Sequence, residues 1–202
     1  MTQTTTSKST YLVKLTPDNS VLVMVDYLTG FLSAIKTIDS NAFQNNVTAL
    51  AKIGNIFQLP TIILGDEGGF RGEFMPQMEK YLSHGQHIER HTPSGYGAPA
   101  FVAALEKIDR PKVIMAGIST DNCVTQTTLD LLKAGYEVYI VIDASGTDSK
   151  LVEDAAIARM IQAGAVITNW GCIASELMGD WQSSEGEKIG ALYQEHSQWG
   201  RN

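Results

Sequence analysis

Five short runs limit what this chain can fold into: VLVMV (21–25), TIIL (61–64), KVIMAGI (112–118), EVYIVI (137–142) and AVIT (165–168). Each is apolar and rich in β-branched residues, and none alternates with polar ones. A strand with one wet face alternates, whereas a strand covered on both faces need not. The runs therefore predict a parallel sheet buried under helices. Segments with helical spacing lie between them. Phe43, Val47, Leu50, Gly54 and Phe57 share one side of 41–57, and Val124, Thr127 or Thr128, and Leu131 share one side of 122–134. The segment 150–163, KLVEDAAIARMIQA, stops at Gly164, a suitable C-cap. A weaker extended stretch at QHIE (86–89) offers one more strand, and APAFVAALEKI (98–108) another helix. Strands alternating with helices of this length imply right-handed βαβ units and a doubly wound α/β fold.

The chain has 202 residues, enough for one domain with a substantial core. No repeat or linker divides it, so 11–202 is read as a single domain after a disordered lead-in at 1–10, MTQTTTSKST. The polar tail at 180–202 carries Trp181, Tyr193 and Trp199, and is expected to dock on the body or on a neighbouring subunit. A net charge of −7 argues against nucleic acid or an anionic membrane as the main partner. No run reaches the roughly 18 apolar residues that a membrane span needs, and the N-terminus lacks the apolar segment of a secretory signal. Two cysteines in a chain of this length point to a reducing cytoplasm rather than a disulfide scaffold. Neither a CxxC nor an HExxH spacing marks a zinc site.

In doubly wound folds ligands bind beyond the carboxyl ends of the strands. The residues there are Asp26 after the first run, GDEGGFRG (65–72) after the second, STDNC (119–123) after the KVIMAGI run and DASGT (143–147) after EVYIVI. Cys123 falls where a buried strand turns into a helix, with Thr120 or Asp121 placed to cap it. Free N–H groups and the positive helix end favour a thiolate there, and the same donors suit the oxyanion of an attacked carbonyl. The plain alternative is a small apolar filler at a helix start. Asp26 ends its strand at the same sheet edge, where partial burial raises its affinity for protons and fits it to move them. Its plain alternative is a solvated or capping aspartate.

VLVMVDYLTGF, followed by AGISTDNCVTQTTLDLLKAGYEVYIVIDASGT, resembles the isochorismatase-like cysteine hydrolases, and among them the YcaC-type branch. The match spans about residues 20–178, and its sharpest part is the G-I-x-T-D-x-C-V pattern that ends on Cys123 and Val124. The resemblance implies a three-layer α/β sandwich with a six-stranded, mostly parallel, Rossmann-like sheet. It implies a cysteine nucleophile at Cys123 that forms a thioester with a small amide, and a general base and acid at Asp26. It implies a non-proline cis peptide at Ile118–Ser119 that aims the Ser119 and Cys123 N–H groups at the oxyanion. It further implies substrate contacts at Phe31 and Tyr96, no cofactor, and a homo-oligomer of four or more chains.

The family lysine stands four positions before a small-residue motif, K-x-x-x-S-A-F; the matching stretch ERHTPSGYGAPAF puts Arg90 in that slot, before Ser94, Gly95 and Tyr96. Arginine keeps the charge but forks rigidly. Lys80 and Lys107 lack the motif around them. Leu28 stands where the family often has glutamine. Nicotinamidases of the superfamily hold a metal through Asp-x-His after the second strand. Here Asp66 and Glu67 have no histidine beside them, so no metal is expected. Isochorismatases proper lack the cysteine. GDEGGFRG reads as a mobile lid, with Arg71 placed to close on substrate. His84, His87 and His91 have no ligand spacing; Asp143 is expected to orient loops, and Cys172 to lie in the core. Two other readings compete: an assembly or regulatory module with a weakened site, and a phosphotransferase using Asp26. The latter wants a second acid where Leu28 stands, and the glycine fingerprint of a dinucleotide site is missing from DYLTGF.

Overall fold

The computed structural model describes residues 10–200. Six strands, β1 (Ser20–Val25), β2 (Thr61–Leu64), β3 (Gln86–Ile88), β4 (Lys112–Gly117), β5 (Glu137–Val141) and β6 (Val166–Thr168), form one sheet in the order β3-β2-β1-β4-β5-β6. Every neighbouring pair is parallel. The helices among the described residues are α1 (Ser40–Ile56), α2 (Pro76–Glu79), α3 (Pro99–Ile108), α4 (Thr125–Lys133), α5 (Lys150–Ala163), α6 (Trp170–Met178) and α7 (Ser184–His196).

All residues of β1 and β4 are buried, which explains why neither run contains an alternating polar position. Leu22 and Met24 point into a core with Phe43, Val47 and Leu50 of α1 and Ile173 of α6. Val21, Val23 and Val25 point the other way, toward Phe101 of α3, Leu131 of α4 and Met160 of α5. Each such side chain contributes about 1.5–3 kcal/mol by leaving water. Two cores, one on each face of the sheet, make the three layers. Asp39 starts α1 by accepting from the Asn41 and Ala42 N–H groups at 3.0 Å, and α5 stops at Gly164, in the left-handed conformation.

The expected strands and helices form within a residue or two of their sequence limits, except at α4. That helix begins at Thr125, after a wide π-helical turn over Thr120–Val124. The tail docks on the body through α7, whose Ile189 and Leu192 are buried and whose Glu195 pairs with Lys52 of α1 at 2.5 Å. The expected lead-in falls almost wholly on residues 1–9, outside those described; Thr10–Leu12 form a short 3-10 turn. No helix among the described residues is long and apolar enough to cross a membrane. The strand order makes β1 and β4 neighbours, with later connections leaving in opposite directions. The crevice beyond their carboxyl ends is the place for a ligand.

Candidate active site

Asp26 follows β1 directly, with a φ of 54° that bends the strand end sharply. Aspartate tolerates this left-handed conformation better than most residues. The bend is held by the Asp26 N–H donating to the Leu64 carbonyl at 2.8 Å and the Leu28 N–H donating to the Asp26 carbonyl at 2.7 Å. The carboxylate is buried at the crevice and ion-paired with Arg90 Nη2. Arg90 lies just past β3, two strands from β1 and about 9–10 Å away across the sheet, so only a long side chain reaches Asp26. Its other amino group donates to the Thr92 and Pro93 carbonyls. The guanidinium is buried and fixed from both sides.

Cys123 sits in the π turn, half-buried, near enough to Asp26 and Arg90 for both charges to act on its thiol. The structure therefore brings together the three residues expected to act. It also corrects the expected charge on sulfur. Burial pushes the Cys123 thiol up, the Asp26 carboxylate pushes it further, and Arg90 only partly opposes them. Burial likewise raises Asp26, against the pull of Arg90 and the Cys123 hydrogen bond. In the resting site the sulfur keeps its proton next to a base able to take it.

The Ile118–Ser119 peptide bond is cis. The turn that follows is tied to the loop after β5: the Thr120 N–H donates to the Gly146 carbonyl at 3.1 Å, and the Gly117 N–H donates to Ser145 Oγ at 3.2 Å. The expected capping by Thr120 or Asp121 does not occur. Asp121 instead accepts from Thr147 Oγ1 at 2.6 Å, and Thr120 Oγ1 is buried without a partner among the described residues. The wide turn carries these side chains away from the first N–H groups of α4.

A cavity of about 360 Å³ opens beside Asp26, lined by Leu28, Phe31, Asp66, Arg71 and Arg90 among others. Phe31 thus reaches the place expected of a substrate contact. Tyr96 does not: it lines a separate cavity with Glu106, Arg110 and Tyr136. Its turn is pinned by the Gly95 N–H donating to Thr127 Oγ1 at 2.8 Å, which directs the ring elsewhere. The GDEGGFRG loop overhangs the cavity with Asp66, Phe70 and Arg71. Its base is stitched down, with the Thr29 N–H donating to the Glu73 carbonyl at 2.9 Å and the Gly30 N–H to the Arg71 carbonyl at 2.8 Å. A Cβ on Gly30 would lie 2.7 Å from that carbonyl, so only glycine permits this approach.

Cys172 is exposed rather than part of the core. It lies on the outer side of α6, whose inner side buries Trp170, Ile173, Ala174 and Leu177. Asp143 does orient loops: it accepts from the Trp170 N–H at 3.1 Å, and burial raises it to about 6. His84 contacts the Leu59 carbonyl, and His87 lies between Glu79 and Glu67. His91 reaches the cavity and joins Asp66 and Glu89, their ligand atoms within 4.8 Å of one another. Sequence spacing could not reveal this group, which comes from the loops after two different strands. With Glu89 and His91 exposed and a single histidine present, the donor set is that of a solvated cluster.

A family model, the isochorismatase domain, matches residues 20–171. The chain belongs to the isochorismatase family. It is 32% identical over 188 residues to the probable hydrolase YcaC of Escherichia coli K12, covering 91% of this chain and 89% of that one. The Pseudomonas aeruginosa YcaC structure, with hexane-2,5-diol and covalent acrylamide, superposes with a TM-score of 0.86 at 36% identity, covering 91% and 92% of the two chains. The E. coli YcaC structure, an octameric hydrolase of unknown specificity, gives 0.88 at 31% identity over 94% of each. Nicotinamidase PncA of Bacillus subtilis, at 15% identity and 0.66 over 75% of this chain and 99% of its own, shares the fold. The six-stranded parallel α/β sandwich is thus the family's fold, and the chain is an isochorismatase-family hydrolase.

Proposed function

We propose that this protein hydrolyses a small amide, or a related C–N carbonyl compound, through a thioester on Cys123. The observation that carries this reading is the nearness of the Cys123 thiol to the Asp26–Arg90 ion pair, both members of which line the cavity. Asp26 takes the thiol proton as sulfur bonds to the carbonyl carbon. Arg90 offsets the negative charge while it moves between oxygen and sulfur. The N–H groups of Ser119 and Cys123 are assigned to the oxyanion, and Phe31 to the substrate wall. Asp26 then gives its proton to the departing nitrogen, the C–N bond breaks, and ammonia or an amine leaves. Water attacks the thioester next, losing a proton to Asp26. The carboxylic acid departs and the proton returns to sulfur. Asp26 thus relays one proton in each half-reaction, the first from sulfur to the departing nitrogen and the second from water back to sulfur, which suits a pair of groups both raised by burial.

The covalent acrylamide in P. aeruginosa YcaC supports this reading, because acrylamide is both a small amide and an electrophile toward thiols. The octameric E. coli YcaC supports a homo-oligomer of four or more chains, and Leu12, Leu151, Trp181 and Trp199 offer exposed apolar surface for it. The low cysteine content supports a cytoplasmic setting. A panel of primary amides, carbamoyl compounds and ureides tests the proposal by ammonia release. Turnover that vanishes in Cys123→Ala is expected; turnover that survives the substitution refutes it.

A further inference from the structure

The cavity contains two arginines in different situations. Arg90 is committed to Asp26 and to two carbonyls. Arg71 is not. Among the described residues it forms no ion pair, and its side chain donates no hydrogen bond, although Asp66 shares the cavity lining. It is nevertheless held in place. Its guanidinium carbon lies 4.6 Å from the ring centroid of Phe31 and 4.6 Å from that of Phe70. Its carbonyl accepts from the Gly30 N–H. Two aromatic rings flank the guanidinium carbon, and such contacts use none of its N–H groups, which are left available to a ligand.

We propose that Arg71, steadied by Phe31 and Phe70, is the subsite for a carboxylate carried by the substrate. The substrate is then a small amide or carbamoyl compound with a carboxylate group elsewhere on the molecule. This deepens the amide-hydrolase reading and rests on it for the reacting end of the substrate. A planar carboxylate matches the arginine fork edge-on, and Asp66 in the same lining opposes a phosphate dianion more strongly than a carboxylate monoanion. The chain as a whole, at −7, repels small anions. A carboxylate substrate therefore needs a local cation, and Arg71 is the cavity arginine whose charge Asp26 does not already offset.

Calorimetric binding to the Cys123→Ala protein, in which no thioester can form, tests this without turnover. The probes are malonamate, succinamate and glutaramate, each paired with the neutral amide of the same chain length. At least one anionic member is expected to bind about tenfold tighter than its neutral partner, the size of a charge-assisted hydrogen bond. In Cys123→Ala/Arg71→Gln that ratio falls to about one, while Arg71→Lys, with the charge but no fork, keeps part of it. No preference in any pair, or a preference that survives Arg71→Gln, overturns the proposal. Ammonia release by the wild-type protein is scored separately. An anion preference without release supports the subsite and refutes the hydrolase, and release without an anion preference does the reverse.

Discussion

Two buried ion pairs sit at opposite ends of the same sheet. Asp26–Arg90 lies beyond the carboxyl ends of the strands, and Lys112–Glu137 joins the first residues of β4 and β5 at their amino ends. Asp26, Arg90 and Lys112 are nearly sealed from water, and Glu137 is partly buried. Lys112 also donates to Tyr139 Oη at 3.1 Å and lies over that ring. What separates the pairs is their company. The first faces a thiol and a cavity; the second packs against the core strand Tyr139. A buried charge pair is thus no sign of chemistry by itself. It becomes reactive when a group with a transferable proton touches it and a ligand can approach.

The largest expected effect falls on the first pair. Asp26→Asn removes the base and is expected to lower amide turnover by about 10³-fold. The same change removes the negative charge that raises the Cys123 thiol, so alkylation of Cys123 should reach its midpoint at lower pH than in the wild type. More thiolate with less hydrolysis is the combined signature; an unmoved midpoint would show that Asp26 and the sulfur are not coupled.

Breaking each pair from its cationic side tests the contrast directly. Arg90→Met strands the buried Asp26 carboxylate and should lose about 3–5 kcal/mol in urea unfolding, whereas Lys112→Met leaves the partly solvated Glu137 and should lose less. Only Arg90→Met should also abolish turnover per folded molecule. Equal activity losses would erase the distinction between the two ends. Adding Glu137→Gln to Lys112→Met should restore much of the stability, as expected where a pair is structural.

A smaller effect concerns Asp143, held near 6 by burial in the loop that supports the turn before Cys123. Its folded value lies above its unfolded one, so its contribution to stability is complete below about pH 4 and is lost as the pH rises through about 6. Asp143→Asn should therefore match the wild type at low pH and exceed it by about 1–3 kcal/mol at pH 8. Urea midpoints at the two pH values measure this, and a constant difference between them would contradict it.

Much of this molecule was legible in the chain. The unalternating runs dictated covered parallel strands because a strand between two helical layers has no wet face to mark. The positions of Asp26 and Cys123 followed, since both lie directly after such runs and parallel strands end on the same edge. Arg90 was reachable through its motif. The protonation of sulfur was not, because burial and the Asp26 charge act over distances set only when three separate loops converge. The same reason hid the direction of Tyr96, the exposure of Cys172, the gathering of Asp66 with Glu89 and His91, and the placing of Arg71 between Phe31 and Phe70. Local pattern fixes where along a strand a side chain sits; the packing of loops from different strands decides what it faces.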